Sequence, residues 1–299
     1  MNEQNYGYNF NEIMIYDNTF IKKCKNDLGR DKINNEITFY KYIEYNNIKF
    51  NIPKLLEFND GIIKLEYLYN SKNITKIINK NNYEYYLEKI INDLKILHES
   101  KILIQKDELL KDLYIETKYK IINRYNESNW DQLTNILYVN GLRIRNINYY
   151  VDKIHQKILL YFDKIKTINY NLIHGDVHLG NILIDNSNNI YYIDPRGYFG
   201  NKKLFGLHYY DYAKLMFGLS GYSIFDEMII DKLNIIDNNI NIDFIKEYEY
   251  IFISNKFNEI VKLLTLSIWL GNCSNFCNSN KKITSLMISY YYCEKYINT

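Results

Sequence analysis

The sequence predicts an α+β protein with two lobes, a small one of strands with a single helix and a larger one that is mainly helical. Apolar and polar residues alternate at 12–16 and 19–24, as they do in half-buried strands. From residue 83 onward apolar residues recur every three or four positions, as on one face of a helix. Because no Pro- or Ser-rich linker separates the patterns, we expect residues 1–68 and 69–299 to be lobes of one compact protein with a short hinge at 69–73.

The small lobe is predicted to contain four extended segments and one helix. The turn-forming pair Asp17-Asn18 splits the first two segments into a hairpin. Asp31 is the expected N-cap of the helix, which carries Glu36. In chain order the predicted elements are strands at 12–16 and 19–24, the helix at 31–45, and extended segments at 48–58, broken by Pro53, and 61–68.

The large lobe is predicted to begin with a long amphipathic helix, because Leu87, Ile90, Leu94 and Leu97 fall on one side of it. A pair of strands around a polar turn later interrupts the helical pattern. The predicted elements are helices at 83–98, 112–125 and 147–165, an extended piece at 136–139, strands at 182–185 and 190–193, and helices from residue 208 onward.

Charge and composition exclude several classes of partner. There are 37 Lys and Arg residues against 35 Asp and Glu, without long blocks of one sign, so we expect no nucleic-acid or membrane partner. Four scattered cysteines fit a reducing compartment. Residues 1–8 lack the apolar run of a secretory signal, and the apolar stretch 260–270 is too short to span a bilayer, so we expect a cytoplasmic protein.

The residues that carry chemistry fall in two neighbouring stretches. Residues 174–181 read HGDVHLGN, and residues 193–197 read IDPRG. Asp176 and Asn181 are five positions apart, and a predicted hairpin folds Asp194 back beside Asn181. One oxygen from each of Asn181 and Asp194 could bind a Mg²⁺ that bridges nucleotide phosphates, while Asp176 faces an incoming hydroxyl.

Each piece alone has a simpler explanation. An HGD sequence can occur in any turn, and Asp194-Pro195 can end a strand. The fixed spacing of the whole set, with apolar strands on both sides of the turn, favours the functional interpretation.

These stretches resemble the HGDxHxxN motif, and the Asp that follows a hairpin, in the aminoglycoside and choline phosphotransferases, whose fold is similar to that of protein kinases. The resemblance implies use of ATP and Mg²⁺ and transfer of the γ-phosphate to a hydroxyl of a small polar molecule such as a sugar, an aminosugar or an amino alcohol. It implies that Asp176 accepts the hydroxyl proton, that His174 braces the loop, and that Asn181 and Asp194 bind Mg²⁺.

Glu36 resembles the acid that pairs with a strand lysine to fix the ATP phosphates. The lysine is Lys22 or Lys23, and strand alternation favours Lys23, because it shares a face with Ile21. The alternative is that both lysines are solvated.

Glu66 and Leu68, in the sequence LEYL, resemble the segment that joins the lobes and binds adenine through its backbone. The alternative is an ordinary buried strand end.

The sequence departs from protein kinases in two ways. Gly7 is the only glycine before Gly29, so the Gly-rich phosphate loop is absent, and there is no Ala-Pro-Glu segment. Both differences argue against a protein hydroxyl as acceptor. A catalytically silent nucleotide-binding module is the other alternative.

The DPRG sequence at 194–197 resembles a phosphotransferase subgroup found among bacterial surface-carbohydrate genes. Arg196 could grip a phosphate or a substrate carboxylate beside the metal site, or it could form a structural ion pair with Asp211. The acceptor itself stays open, because its candidate lining residues are equally solvated helix positions. These candidates are Tyr114, Glu116, Lys118 and Arg124.

Overall fold

The structure is a computed structural model that describes residues 10–128, 130, 133 and 136–297. Residues 1–8, on which the expectation about a secretory signal rests, lie outside the described residues. The described part of the chain forms two compact units. The first combines Met1–Ile102 with Asn169–Asp211, and the second combines Leu103–Ile168 with Tyr212–Thr299. Helices and strands occur together as predicted, so the α+β class is confirmed.

The first unit contains a four-stranded antiparallel sheet with strand order β1-β2-β4-β3. The predicted hairpin is present, and the two residues of its turn, Asp17 and Asn18, adopt positive φ angles of 42° and 64°. The segment around Pro53 forms a strand only after the proline, which cannot donate to a ladder. The strands are β1 Asn11–Tyr16, β2 Thr19–Cys24, β3 Leu55–Asn59 and β4 Ile62–Glu66.

Helix α1, Asp27–Tyr45, covers one face of this sheet. It starts one turn earlier than predicted, because Asn26 and not Asp31 is the N-cap, with Asn26 Oδ1 accepting from Gly29 N at 2.8 Å. Burial of each large apolar side chain here stabilises the unit by about 1.5–3 kcal/mol. The shared core consists of Ile33, Ile37, Tyr40, Ile63 and Leu65.

A three-stranded sheet of the first unit has the order β11-β10-β5. Part of the predicted hinge at 69–73 is strand β5, which pairs with β10. The elements are β5 Ser71–Asn73, a 3₁₀ turn Ile74–Lys76, helix α2 Tyr83–Leu97, β10 Ile182–Asp185 and β11 Ile190–Tyr192.

Short strands follow the DPRG sequence. β12 and β13 form a hairpin, and β14 pairs with β9. The chain passes between the two units within β6, β9 and α6. The bounds are β6 Lys101–Gln105, β9 Thr167–Leu172, β12 Tyr198–Phe199, β13 Lys202–Lys203, β14 Phe205–Gly206 and α6 His208–Phe217.

The second unit is mainly helical, as predicted. Its core includes Trp269, whose Nε1 donates to Ser220 Oγ at 2.8 Å, and the ring of Tyr292. In the part of the chain that the structure describes, no helix combines the length and apolar composition needed to span a membrane. The helices are α3 Lys106–Tyr114, a π turn Ile115–Tyr119, α4 Lys120–Asn126, α5 Ile147–Tyr161, a π turn Gly218–Tyr222, α7 Ser223–Glu227, a 3₁₀ segment Asp243–Tyr248, α8 Tyr250–Ile253, α9 Glu259–Asn272 and α10 Ser279–Tyr296.

A small sheet also lies in the second unit, where only one extended piece, at 136–139, was predicted. Its strands are too short for period-2 alternation to be recognised in the sequence. They are β7 Tyr138–Val139, β8 Leu142–Arg143, β15 Ile235–Ile236 and β16 Asn239–Ile240.

Candidate active site

The HGD sequence forms a tight loop between β9 and β10 in the first unit. Gly175 has a φ of 79°, and a Cβ at this position would lie 3.2 Å from the Arg196 Cβ. Glycine is therefore required both by the backbone conformation and by the close approach of the DPRG segment. The loop and that segment are packed directly against each other.

His174 links the loop to the residue before Asp194. It is fully buried, its Nδ1 accepts from Asp176 N at 3.2 Å, and its Nε2 lies 3.0 Å from Ile193 O. Because Nδ1 accepts, we assign the ring proton to Nε2, which donates to the carbonyl. Burial lowers the pKa of His174, so the ring is neutral at pH 7. A neutral imidazole is the form that can accept on one side and donate on the other.

Asp211 binds the backbone of the same loop. Its fully buried carboxylate accepts from Gly175 N at 2.7 Å and from His174 N at 3.0 Å. The third partner is His98 Nε2, 3.0 Å away. The sequence suggested Asp211 only as an ion-pair partner of Arg196, whereas the structure uses both its oxygens on the loop backbone. The sequence signal available for Asp211 is an acidic residue in the first turn of a helix.

Asn181 closes the other end of the loop. Its Nδ2 donates to Asp176 O at 2.9 Å. The preceding carbonyl, Gly180 O, accepts from Asn73 Nδ2 at 2.6 Å, a contact that the sequence gave no reason to expect. The side chain of Asp176 is one-third exposed, at 33%, and His178 Nε2 lies 4.0 Å from its Oδ2. Hydrogen bonds hold the loop at both ends, while the Asp176 side chain is partly exposed to solvent.

Asp194 lies beside Asn181, because Ile193 N donates to Asn181 O at 3.0 Å. Its φ is 55°, a left-handed conformation that costs free energy in a non-glycine residue and often marks a functional site. Its side chain is 48% exposed. Among the described residues, no group of three or more His, Cys, Asp or Glu side chains could hold a metal. Mg²⁺ bound with a nucleotide needs only one or two protein oxygens, so this pair fits it.

Lys22, and not Lys23, pairs with Glu36, with Nζ 2.8 Å from Oε2. Lys22 Nζ also contacts Asp194 Oδ1. The preference for Lys23 was wrong, because alternation fixes which residues share a face but not which face α1 covers. Lys22 is 5% exposed and lies opposite the buried Ile63 in the sheet, whereas Lys23 is exposed.

The Glu36 carboxylate is buried, and one of its two oxygens, Oε1, lacks a hydrogen-bond partner among the described residues. Burial raises the pKa of Glu36 to about 7, although the Lys22 ammonium acts in the opposite direction. Burial also opposes the charge of Lys22, but Asp194 and Glu36 outweigh it and raise the pKa of the ammonium. The lysine therefore stays charged between two carboxylates.

Glu66 is the last residue of strand β4, and Leu68 comes two residues after it. Glu66 ends β4 opposite Thr19, and its backbone N donates to Lys54 O at 2.9 Å. Leu68 lies in the turn before β5, where its carbonyl accepts from Ser71 Oγ at 2.7 Å. Both residues belong to the unit that holds Lys22.

Arg196 is held by aromatic residues. Its Nη1 donates to Tyr210 Oη at 2.6 Å, and its guanidinium lies over the Tyr198 ring, 4.0 Å from the centroid. Lys22 and Glu36 are thus joined through Asp194 to the HGD loop, and Arg196 packs against the same loop at Gly175. Lys23 lies on the exposed face of β2.

The residues that the sequence suggested as the lining of an acceptor-binding pocket belong to the second unit, and they have partners within that unit. Glu116 is buried and lies 2.5 Å from Lys120 Nζ, and Arg124 donates to Gly271 O at 2.8 Å. Lys118 lies 2.7 Å from Asp152.

No protein-family model matches the chain, and no curated protein sequence matches it. Several solved structures do match the chain. The chain aligns over 96% of its length with 88% of APH(2″)-IIa in its gentamicin complex, at 15% identity and a TM-score of 0.54. It aligns over 96% with 90% of the choline kinase LicA from Streptococcus pneumoniae, at 11% identity and a TM-score of 0.54. A glucosamine kinase aligns at 8% identity and a TM-score of 0.55, over 94% of this chain and 73% of that one. The fold implied by the motif resemblance is therefore confirmed.

Proposed function

We propose that this chain is an ATP-dependent phosphotransferase that moves the γ-phosphate to a hydroxyl of a small polar molecule, such as a sugar, an aminosugar or an amino alcohol. One observation carries the proposal. The buried Lys22 contacts both Glu36 and Asp194, and Asp194 adjoins the loop that bears Asp176 and Asn181. A buried cation between two acids, next to an exposed carboxylate, has no evident value for packing but suits phosphoryl transfer.

The nucleotide would bind through residues of the first unit. Lys22, fixed by Glu36, would contact the phosphates, and backbone groups of Glu66 and Leu68 would hydrogen-bond the adenine. Asn181 and Asp194 would hold Mg²⁺, which when bound neutralises charge on the phosphate oxygens.

Asp176 would act on the acceptor. Its carboxylate accepts the hydroxyl proton while the acceptor oxygen forms a bond to the γ-phosphorus and the bond to the ADP oxygen breaks. His174, Asp211 and Asn181 contribute by fixing the loop backbone, so that Asp176 needs no rearrangement to reach the hydroxyl.

Two kinds of support point to a small acceptor. The sequence lacks the Ala-Pro-Glu segment of protein kinases, and the matching solved structures include a choline kinase and a glucosamine kinase. The lobe boundary after residue 68 and a cytoplasmic location stay predictions.

The test is Mg-dependent ATP consumption by the purified chain with a panel of sugars, aminosugars, aminoglycosides and amino alcohols. We expect turnover with one class, and a loss of about 10²- to 10⁴-fold in kcat for Asp176→Asn, which keeps the size of the side chain but not its basicity. Full turnover in Asp176→Asn would contradict the assigned base. ATP binding without transfer to any of these acceptors would favour a macromolecular acceptor or a silent module.

A further inference from the structure

A cavity of about 450 Å³ lies in the second unit, between the β7–β8 hairpin and the last turns of helix α10. We call it the arginine cavity, because Arg143 and Arg145 line it and also line an adjoining cavity of about 310 Å³. Its volume is typical of small-molecule sites. Its lining residues belong to the second unit, whereas Lys22, Asp176 and Asp194 belong to the first, so it shares no residue with the candidate active site.

The β7–β8 hairpin that forms one wall of the cavity is held in place at its turn. Asn140 and Gly141 have φ angles of 49° and 80°, the pattern of a tight two-residue hairpin. Asn140 Oδ1 accepts from Ile242 N at 2.8 Å, and Asn140 Nδ2 donates to Ile242 O at 3.0 Å. Gly141 N donates to Asn239 Oδ1 at 2.8 Å. The backbone that carries Arg143 is therefore fixed before any ligand binds.

Arg143 and Arg145 line the same cavity because they are two positions apart in an extended segment. Ile144 N donates to Leu137 O at 3.0 Å, which continues the antiparallel pairing of β8 with β7. Side chains at i and i+2 of an extended chain point to the same side. Two guanidinium groups on one side of the hairpin are able to contact one ligand together.

The Arg145 guanidinium is oriented by an aromatic ring and by the buried end of α10. Arg145 N donates to the hydroxyl of the buried Tyr150 at 2.8 Å, and this hydroxyl donates to Glu294 Oε1 at 2.7 Å. The guanidinium lies over the Tyr149 ring, 4.2 Å from its centroid. Arg145 Nε is 3.7 Å from Glu294 Oε1, which is an ion pair but too long for a hydrogen bond. The pair therefore leaves the N–H donors of Arg145 for a ligand.

The charges around the arginine cavity favour an anion. Among the described residues, three basic side chains and one acidic side chain line it, namely Arg143, Arg145, Lys295 and Glu294. Lys295 Nζ lies 2.5 Å from Glu249 Oε2, so this cation is paired. Arg143 is exposed and forms no ion pair within the described part of the chain. One guanidinium charge therefore remains after both ion pairs are counted.

The use of arginine here is informative, because arginine is rare in this chain. Five of the 37 basic residues are arginine, and two of the five line this cavity. Lysine serves as the ordinary surface cation, so a position that needs only charge would carry it. Arginine adds a planar fork of N–H donors that matches a carboxylate or a phosphate through two parallel hydrogen bonds. Leu142 and Tyr291 add apolar surface to the lining, a mixture that is common in ligand pockets.

We propose that the arginine cavity binds a small organic anion, with Arg143 and Arg145 holding its carboxylate or phosphate group and with Leu142 and Tyr291 against its carbon skeleton. This site goes beyond the proposed function and does not rest on it. Carboxylate and phosphate share the recognition chemistry, since each accepts two parallel hydrogen bonds from a guanidinium. The concave shape fits a small molecule better than a polyanion, which a flat basic surface would bind.

The first experiment observes the arginines of the full chain directly. Protein labelled with ¹⁵N-arginine is titrated with inorganic phosphate or with succinate at constant ionic strength, and the Nε–Hε NMR signals are assigned from single arginine-to-lysine variants. We expect the signals of Arg143 and Arg145 to shift saturably with one common Kd, and the signal of Arg30, which lies in the first unit, to stay in place. The anion that binds more tightly identifies the group recognised. No saturable shift at these two arginines overturns the proposal.

Two matched variants test whether the affinity depends on the cavity. Arg143 and Arg30 are both exposed, so each can be replaced by glutamine with little effect on the core. We expect Arg143→Gln to weaken binding at least about tenfold, as for loss of a charge-assisted pair, and Arg30→Gln to leave the Kd within about twofold. The Arg145 signal reports binding in both, and melting temperatures show that both are folded. Equal affinity in the two variants contradicts the proposal.

The sign of the charge effect is tested with Glu294→Gln and with a neutral ligand. The glutamine oxygen still accepts from Tyr150, but the charge that competes for Arg145 is removed. We expect Glu294→Gln to bind the anion about threefold more tightly. Weaker binding would show that the carboxylate itself holds the ligand and would overturn the assignment. Succinamide, the neutral counterpart of succinate, should cause no saturable shift, and binding as tight as that of succinate rules out an anion site.

Discussion

Lys22 keeps a positive charge in a buried position because two carboxylates face it. Desolvation alone would favour the neutral amine, but the contacts with Glu36 and Asp194 reverse that preference and raise the pKa of Lys22. The same arrangement leaves Glu36 Oε1 unpaired among the described residues. A group of this kind is costly for stability, which favours a role in binding over a role in packing.

The neighbouring lysines allow a matched test of this role. We expect Lys22→Met to lower kcat/KM for Mg-ATP by on the order of 10²-fold or more, because the phosphates lose a preorganised cation. Lys23→Met should change it less than about twofold, since Lys23 is exposed on the other face of β2. Steady-state ATP consumption checks both variants. An equal loss in the two would mean that the sheet register seen here is not the functional one.

Sequence spacing indicated the acidic and amide residues of the candidate site, but not which of two adjacent lysines pairs with Glu36. The spacing of Asp176, Asn181 and Asp194 was readable because it is local in sequence and the hairpin that joins them has a clear pattern. The choice between Lys22 and Lys23 depends on where α1 packs, which is a tertiary property. A register difference of one residue exchanges the two faces of a strand, and short alternating patterns rarely settle it.

Residues in the first turn of α6 contact the HGD loop and the residues on either side of it. His208, Tyr210 and Asp211 all lie within four residues of its start, and they contact Asn171, Arg196 and the loop backbone respectively. No sequence pattern identifies the partners in these contacts, because each contact joins residues that are well separated in the chain. Helix α6 was predicted, but its use as the support of the loop was not.

Asp211→Asn should destabilise the protein and slow catalysis together. The amide can accept on one oxygen only, so one buried N–H of His174 or Gly175 would face an NH₂ group. We expect a loss of about 2–4 kcal/mol in the free energy of unfolding, with a fall in kcat. Urea unfolding and steady-state kinetics measure the two effects. Asp93→Asn, which affects one hydrogen bond from Tyr192, is the control and should lose less.

His208 should make the stability of the protein fall in mild acid. Burial lowers the pKa of His208 to about 4, with a smaller effect of His98 in the same direction and of Asp211 in the opposite one. Between pH 6.5 and about 4 the unfolded chain binds a proton that the folded chain does not, so the free energy of unfolding decreases as pH falls. Above pH 6.5 this contribution is fully present.

Replacement of His208 by Gln should remove this part of the pH dependence. We expect the decrease in unfolding free energy between pH 7 and pH 5 to become smaller by about 1–2 kcal/mol, after allowance for partial exposure of the ring. Urea unfolding at pH 8, 7, 6 and 5 measures it, and the interval from pH 8 to pH 7 serves as the internal control. An unchanged slope would show that the ring titrates normally in the folded protein.

At the scale of the whole molecule, the candidate site belongs to one compact unit that is built from two chain segments. Lys22 and Glu36 come from the first segment, and Asp176, Asn181 and Asp194 come from the second. The α+β class and most long elements were predictable, because long periodic segments dominate the sequence. The grouping of distant segments into one unit was not, since it depends on pairings such as that of β5 with β10.

Mg-ATP should stabilise the whole protein, because it binds the folded site and not the unfolded chain. At 100 times its Kd the ligand adds about 2.7 kcal/mol, which we expect as a rise of several degrees in Tm. Asp194→Asn should lose most of this rise, since it weakens the Mg²⁺ site, and its own Tm without ligand should fall, because the buried Lys22 loses one of the two carboxylates that face it. The rise is therefore measured for each protein against its own Tm without ligand. Differential scanning calorimetry with Mg-ATP, and with ATP and EDTA, makes the comparison. Equal stabilisation in EDTA would contradict a magnesium role for Asp194.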